Sequence, residues 1–442
     1  MNFKKDLPLT SSHWGTYRAK VKDGKVKELI GWENDKDPSP IGQGIVDVHN
    51  HQTRIDSPMI RKSWMDKGPG SNNSLRGTDP FISISWDEAE KIVSNELNRV
   101  KNDFGNASIF GGSYGWASAG RFHHAQSQLH RFLNCIGGYT RSKFTYSFAA
   151  AEAMVPHILG SYRAYLDTCT SWESIEENTE LFICFGGVPL KNGQIAQGGT
   201  GSHKQKEKLI RSANAGIKFV NFSPLKSDLL DEVNGEWLAL RPNTDVAIML
   251  GLAHTLYKEK LYDDKFIEKY TEGFDTFLPY LQGDIDGIVK DANWASSISE
   301  IPSEKIISLA KEMSSKRTMI SVSWSLTRQD HGEQPFWAAI MLASMVGQIG
   351  LPGGGFGFGY SATNHIGGQF SIIPGAAFPQ TQNKIEDFIP VARISDLLLN
   401  PGGSFDFDGK EYKYPDIKLI YWAGGNPFHH HQDINRLLQA WQ

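Results

Sequence analysis

Short apolar runs that stop abruptly at glycine, serine, asparagine or proline recur along the chain. Such runs are typical of buried strands, and helical patterns lie between them. Strands that alternate with helices build parallel sheets, whose ligands bind at the carboxyl ends of the strands. We therefore expect an α/β fold with Rossmann-like parallel sheets, and strands within residues 107–113, 181–187, 217–224, 417–427 and, as a fifth, 318–324.

Apolar positions at helical spacing predict helices between these strands. The best defined runs from residue 86 to 101, where Ser85 and Glu88 form a capping box. Residues 9–60 instead alternate polar and apolar positions around an Asp-Gly turn, which predicts a small β-rich N-terminal segment. Further helices are expected over residues 120–133, 334–349 and 435–442.

Glycine and proline follow each predicted strand, and one such turn alone has an ordinary structural explanation. Five together favour a large phosphate-bearing ligand held across several strand ends, and the alternative that some are only turns stays open. The glycine-rich run at 351–360 lacks the spacing and position of a nicotinamide fingerprint. We interpret it as a helix C-cap leading into a loop, with ligand contact as the alternative.

Composition narrows the class of protein. The 442 residues are 40% hydrophobic and 21% charged, with a formal net charge of -4 and dispersed lysines and arginines. This chain length predicts two or three domains, and the charge pattern favours neither nucleic acid nor an anionic membrane as a partner. No long apolar run predicts a membrane span. The first residues show neither a signal peptide nor a twin-arginine motif, so we expect a cytoplasmic protein, with a periplasmic one as the alternative if the N-terminus is truncated.

Cysteine and histidine give little indication of a metal site on their own. Cys135, Cys169 and Cys184 are too far apart for a Cys-x-x-Cys pair, so reduced thiols are expected. The triplet 429–431 suggests zinc only weakly, because adjacent side chains point in different directions. We interpret His123, His124 and His130 as core or surface residues rather than as ligands.

Two segments carry candidate chemistry. Tyr114 and Trp116 stand in a glycine-flanked loop after a predicted strand, where bulky aromatics with a polar tip are suited to line a pocket. Ser147 opens an alanine-rich stretch, and its residue type alone is best explained as a helix N-cap.

Taken together, long segments of the chain resemble the molybdopterin-guanine-dinucleotide oxidoreductases, specifically the dimethyl-sulfoxide, trimethylamine-N-oxide and biotin-sulfoxide reductases. The resemblance covers nearly the whole chain, and chance agreement in so many long segments is implausible. The matching segments are SHWG at 12–15, RGTDPFISISWDEA at 76–89, SYGW at 113–116, YSFAA at 146–150, WSLTRQDHGE at 324–333, GQIGLPGGGFG at 347–357 and WAGGNPFHHHQD at 422–433.

The resemblance implies a molybdenum-dependent S-oxide or N-oxide reductase that transfers an oxygen atom and takes two electrons from an unidentified donor. Ser147 would be the protein ligand of molybdenum, Tyr114 would hydrogen-bond the transferred oxygen, and Trp116 would line the metal funnel and contact a pterin. The cofactor would be bis(molybdopterin guanine dinucleotide), with no iron–sulfur cluster. Its further contacts would be Lys191, Asn192, Ser223, Pro224, Asp245, Trp324, Arg328, Gln329, Gly425, Asn426, His430 and Gln432.

Some positions depart from the family pattern. A Gly-Asp pair often stands where this chain has Phe144-Thr145, an Asn-Pro pair where it has Val188-Pro189, and an acidic or amide residue where it has Ser223. These differences concern individual pterin or guanine contacts more than the metal ligand.

The resemblance also implies a domain plan. We expect a β-rich segment at 1–60, a metal-ligand lobe at 61–160, a dinucleotide lobe at 161–375 and a return to the first lobe at 376–442. Family members continue beyond the position of residue 442 into a C-terminal β-barrel-like domain, so the resemblance implies a truncated chain without that domain. The alternative is therefore a non-catalytic fragment or paralogue that binds a partner chain, whereas a nicotinamide dehydrogenase would need the missing fingerprint.

Overall fold

Two parallel sheets and their helices make up most of the computed structural model, which describes residues 6–48, 51–112, 124–369 and 377–442. Its strands are β1 (Leu9–Ser12), β2 (Gly15–Lys22), β3 (Lys25–Gly31), β4 (Met59–Arg61), β5 (Phe81–Ser83), β6 (Ile109–Gly112), β7 (Thr140–Lys143), β8 (Leu181–Phe185), β9 (Lys218–Phe222), β10 (Glu236–Leu238), β11 (Thr318–Val322), β12 (Gly355–Phe358), β13 (Phe388–Pro390), β14 (Ser404–Phe407), β15 (Lys410–Lys413) and β16 (Leu419–Trp422).

The helices connect these strands in the pattern that parallel sheets require. They are α1 (Ile41–Val48), α2 (Lys62–Lys67), α3 (Trp86–Phe104), α4 (Ala125–Cys135), α5 (Ala149–Leu159), α6 (Arg163–Asp167), α7 (Trp172–Asn178), α8 (Leu190–Gly193), α9 (Gln205–Asn214), α10 (Asp245–Lys258), α11 (Asp264–Tyr270), α12 (Phe274–Gln282), α13 (Ala292–Ser299), α14 (Ser303–Ser315), α15 (Gln334–Met345), α16 (Ile394–Leu399), α17 (Pro427–His430) and α18 (Ile434–Trp441).

The chain forms two compact units. The first contains Met1–Ala19, Ile30–Ser39 and Ser147–Ile372, and the second contains Lys20–Leu29, Pro40–Tyr146 and Ile373–Gln442. Each unit is built around its own parallel sheet.

A five-stranded parallel sheet forms the centre of the first unit, in the order β10-β9-β8-β11-β12. Every residue of β8 is buried, because its run of apolar side chains is covered on both faces. Helix α10 packs against α13, α14 and α15, and its inner residues from Ala247 to Leu256 are almost all buried. These contacts fix the strand ends that carry the candidate site.

A four-stranded parallel sheet forms the centre of the second unit, in the order β13-β7-β6-β16. Phe110, Ile389 and Leu397 belong to its buried core, and the hairpin β14-β15 adds Phe405. Helix α3 begins at the predicted capping box, in which the Ser85 hydroxyl accepts from the Glu88 amide and the Glu88 carboxylate accepts from the Ser85 amide.

The expected α/β fold with parallel sheets and a small antiparallel N-terminal segment is confirmed. All five predicted strands form, as β6, β8, β9, β11 and β16. The Asp-Gly turn also forms between β2 and β3, since Asp23 and Gly24 both have positive φ angles, 53° and 70°. No helix of the described part of the chain combines the length and apolar character needed to cross a bilayer.

Two expectations about the segment 334–360 need correction. Helix α15 ends at Met345 rather than at residue 349, because Gly347 turns the chain away with a φ of 67°. The glycine-rich run is not only a loop, since Gly355–Phe358 forms the buried edge strand β12. Phe356 and Phe358 supply the core contacts that the weak strand propensity of glycine does not.

Candidate functional site

The carboxyl ends of the five-stranded sheet are shaped by residues without bulky side chains. Gly186 follows β8 and Gly359 follows β12, with φ angles of 79° and 77° that favour glycine. A Cβ atom at Gly186 would lie 2.8 Å from the Ser323 side chain, and one at Gly359 would collide with the indole of Trp324. Backbone and aromatic groups therefore approach each other closely at this edge.

Trp324 lies at this edge, two residues after the end of β11. The residue is only 8% exposed, and its indole nitrogen is buried without a hydrogen-bond partner among the residues that the structure describes. A buried donor without an acceptor costs about 1–3 kcal/mol. An acceptor supplied by a bound ligand would remove that cost.

The Ser147 segment packs onto the same edge of the first unit. The ring centroids of Phe148 and Trp324 are 4.5 Å apart, and the Ala150 amide donates to the Thr327 hydroxyl over 2.8 Å. Helix α5 begins at Ala149 with Phe148 at the N-cap position, so the N-cap interpretation of Ser147 is wrong. Ser147 is half-buried and stands one residue before that cap.

Two predicted cofactor residues meet through a third residue that the sequence did not single out. Asp228 accepts a hydrogen bond from the Ser223 hydroxyl (2.7 Å) and one from the Lys191 ammonium (3.2 Å). The Asp228 carbonyl also accepts from the Val188 amide over 2.7 Å. The loops after β8 and β9 are thus joined to each other. The signal was the Ser-Pro-x-x-x-Asp spacing of residues 223–228.

Asp245 is the candidate recognition carboxylate of this unit. It is 3% exposed at the start of α10, and burial raises its pKa to about 6, partly offset by hydrogen bonds from its own backbone and from the Gln329 side chain. The structure therefore brings two predicted cofactor residues, Asp245 and Gln329, together. Arg328, Lys191 and Pro224 are exposed, and Asn192 is half-buried.

The remaining predicted contacts belong to the second unit, after β16. Gly425 is exposed with a φ of 68°, and the exposed Asn426 caps α17 by accepting from the Phe428 amide over 3.0 Å. Gln432 is exposed, and His430 is the last residue of α17. Tyr114 and Trp116 lie outside the described residues, as does His123.

The other histidines have structural surroundings. His124 caps α4 by accepting from the Ser127 amide, and the rings of His130 and Tyr139 stack with centroids 5.7 Å apart. Burial lowers the pKa of His130. Both ring nitrogens of the buried His431 face hydroxyl groups, those of Tyr146 and Ser395.

Comparison with known proteins gives a consistent result. The family model of molybdopterin oxidoreductases matches residues 54–442, and that of the molybdopterin oxidoreductase N-terminal domain matches residues 10–48. The chain belongs to the molybdopterin oxidoreductase family. This assignment accounts for a dinucleotide-type sheet edge whose strand ends gather glycine, serine and a buried carboxylate.

Similar members of the molybdopterin oxidoreductase family carry reductase names. The chain is 45% identical to a biotin sulfoxide reductase from Cereibacter sphaeroides over 92% of this chain and 55% of that protein. It is 42% identical to a dimethyl sulfoxide/trimethylamine N-oxide reductase from Rhodobacter capsulatus, over 98% of this chain and 54% of that protein. A trimethylamine-N-oxide reductase from Haemophilus influenzae is 40% identical over the same shares, 98% and 54%.

The chain thus spans about half the length of the curated relatives it matches. Among solved structures, the acetylene hydratase from Pelobacter acetylenicus has a TM-score of 0.50 and 20% identity, over 76% of this chain and 43% of that one. This likeness concerns the fold alone.

The residues at this edge of the first unit fit a molybdopterin cofactor. The strand ends offer the buried indole donor of Trp324, which awaits an acceptor, and the glycine positions at which no side chain fits. The Asp245 carboxylate suits guanine, whose N1 and exocyclic amine both donate hydrogen bonds.

Proposed function

We propose that this chain is the cofactor-binding part of a molybdenum-dependent reductase of S-oxides and N-oxides. The observation that carries the proposal is the placement of Ser147. It stands one residue before the N-cap position of α5, and the next residue, Phe148, packs on Trp324 at the carboxyl edge of the sheet. A serine held beside that edge is a candidate ligand for a metal.

In this proposal Ser147 holds molybdenum, and the guanine dinucleotide of the cofactor lies across the strand ends of the first unit. Asp245 binds guanine, Trp324 donates to an oxygen of the cofactor, and Asp228 orients Ser223 and Lys191 toward its phosphates. Gly425, Asn426, His430 and Gln432 of the second unit bind a second pterin. When bound, the molybdenum cofactor supplies the two-electron oxygen-atom transfer.

The substrate class follows from the names of the relatives, which reduce dimethyl sulfoxide, trimethylamine N-oxide and biotin sulfoxide. All three substrates carry a polar oxygen on sulfur or nitrogen, and Tyr114 is proposed to donate a hydrogen bond to that oxygen. A directed donor is most effective where negative charge develops on oxygen.

Ser147 variants test the proposal. If Ser147 ligates molybdenum, Ser147→Ala abolishes oxide reduction and changes the metal absorption spectrum, whereas Ser147→Cys keeps an altered metal spectrum because a thiolate also binds molybdenum. Circular dichroism should show that both variants fold. An unchanged metal spectrum in Ser147→Ala would refute the ligand role.

A further inference from the structure

Three segments of the second unit meet in one hydrogen-bonded cluster, formed by the half-buried Tyr146 and the buried residues His431, Val391 and Ser395. The Tyr146 hydroxyl donates to the Val391 carbonyl over 2.7 Å and contacts His431 Nδ1, also over 2.7 Å. On the other side of the ring, His431 Nε2 contacts the Ser395 hydroxyl over 3.0 Å. His431 is 7% exposed.

The hydrogen positions follow from the partners. A carbonyl oxygen only accepts, so the phenolic proton of Tyr146 is committed to Val391. His431 Nδ1 must then donate to the phenol oxygen, which leaves Nε2 as the acceptor for the Ser395 hydroxyl. Each contact is satisfied by a neutral ring, and burial lowers the pKa of His431.

The cluster joins the carboxyl ends of three strands in the sheet β13-β7-β6-β16. Tyr146 stands three residues after β7, Val391 follows β13 directly, and His431 lies in the segment after β16. The strands β7 and β16 are separated by β6, so the sheet itself does not connect their ends. His431 makes that connection, with ring centroids 6.3 Å from Tyr146 and ring planes at 86°.

We propose that His431 and Tyr146 are positioning residues that hold the segment after β7, which ends at Tyr146, and the 424–432 loop of the second unit in register with each other. This inference rests on the proposed function, because residue 147 is the proposed metal ligand and the loop carries the proposed pterin contacts. Tyr146 directly precedes Ser147 in the chain, so a phenol ring held in place restricts the backbone of the serine. His430 and Gln432 flank His431 in the same way.

Four variants separate positioning from general packing. Tyr146→Phe keeps the ring but removes the hydroxyl, and His431→Gln can replace only the Nε2 contact. His431→Asn is the rescue variant, because its amide nitrogen takes the place of Nδ1 and can donate to Tyr146. Ser395→Ala is the matched control, since it removes one buried hydrogen bond of the ring and leaves the Tyr146 contact.

The first measurement, amide hydrogen exchange of peptides from 144–151 and 424–433, needs no cofactor. Loss of one buried hydrogen bond corresponds to roughly fivefold faster exchange. We expect this increase in both peptides for His431→Gln and at least as large an increase for Tyr146→Phe, which also loses the Val391 contact. The double variant should exchange no faster than Tyr146→Phe, because the Tyr146–His431 contact can be lost only once. His431→Asn and Ser395→Ala should stay within about twofold of wild type in the 144–151 peptides. Unchanged exchange there in Tyr146→Phe would overturn the inference.

The second measurement is the absorption spectrum of the molybdenum-loaded protein. Tyr146→Phe and His431→Gln should shift the metal bands, and His431→Asn should restore them. If the exchange rates change but the metal bands do not, the positioning of Ser147 is refuted. The role of the Tyr146–His431 contact in joining the two segments would still stand. If the wild-type protein never takes up molybdenum, the proposed function is refuted. The exchange experiment would then test by itself whether the Tyr146–His431 contact joins the two segments.

Discussion

Asp245→Asn should raise the free energy of unfolding of the protein and, at the same time, weaken the binding of its proposed ligand. Burial raises the pKa of this carboxyl from 3.8 to about 6, so the folded state disfavours the charge. The sign follows from linkage: the protonated carboxyl binds its proton more tightly in the fold, and stability is lost as the pH rises from 3.8 to about 6. An uncharged asparagine of the same shape escapes this loss.

The difference between 3.8 and about 6 corresponds to about 3 kcal/mol at pH 7.5, where the aspartate is ionised in both states. At pH 5 the folded carboxyl is largely protonated, and the same linkage leaves asparagine roughly half of that advantage. Urea unfolding followed by tryptophan fluorescence at both pH values measures these differences. Asparagine also cannot accept from both donors of guanine, so affinity for guanosine monophosphate should fall by about 10- to 100-fold.

Asp35 provides the matched control in the same unit. Its carboxylate is buried like that of Asp245, but it accepts from His203 Nδ1 over 2.7 Å. Because both oxygens of Asp35 accept from His203, Asp35→Asn turns an amide N–H toward one of these donors and should reduce the free energy of unfolding by about 3 kcal/mol. If Asp245→Asn also destabilises the protein, or stabilises it equally at pH 5 and 7.5, the proposal that the buried Asp245 carboxylate destabilises the fold and serves ligand binding is wrong.

Three further outcomes are expected. Elemental analysis of the loaded protein should find molybdenum without iron, because the three cysteines are far apart in sequence; stoichiometric iron would contradict this. Tyr114→Phe should keep the metal content but change turnover and the preference between S-oxides and N-oxides, and identical kinetics would remove Tyr114 from the site. Gly359→Ala should cost about 2 kcal/mol more in urea unfolding than Gly350→Ala, since both have positive φ but only the former collides with Trp324.

Local signals accounted for much of the fold. The capping box at Ser85 and Glu88 and the turn at Asp23-Gly24 were readable because each depends on a few neighbouring residues. The five strands were predictable because each is a short apolar run that ends at glycine, serine, asparagine or proline. The strand Gly355–Phe358 was not, because its stability comes from phenylalanine packing in the core rather than from local propensity.

The residues of the candidate site could be proposed only from the family resemblance, one position at a time. The contacts among them could not be predicted. Nothing near Ser223 in sequence shows that Asp228 also holds Lys191, which stands 37 residues before Asp228. The histidine triplet likewise suggested a metal site, whereas His431 pairs with a tyrosine 285 residues away. Contacts of such sequence separation are set by strand order, which a local pattern does not encode.

Asp35 and Asp245 show how burial and pairing together separate structural from functional carboxylates. Asp35 accepts hydrogen bonds from the backbone amide and from Nδ1 of His203 and ties the segment after β3 to the loop before α9, so its buried carboxylate has partners within the fold. Asp245 receives a neutral amide from Gln329, and its pKa is raised because that partner does not offset burial. An ionised carboxylate in these buried surroundings therefore does not stabilise the fold. A ligand with two hydrogen-bond donors would supply the missing compensation, and this is why we propose ligand binding at Asp245 rather than at the buried Asp35.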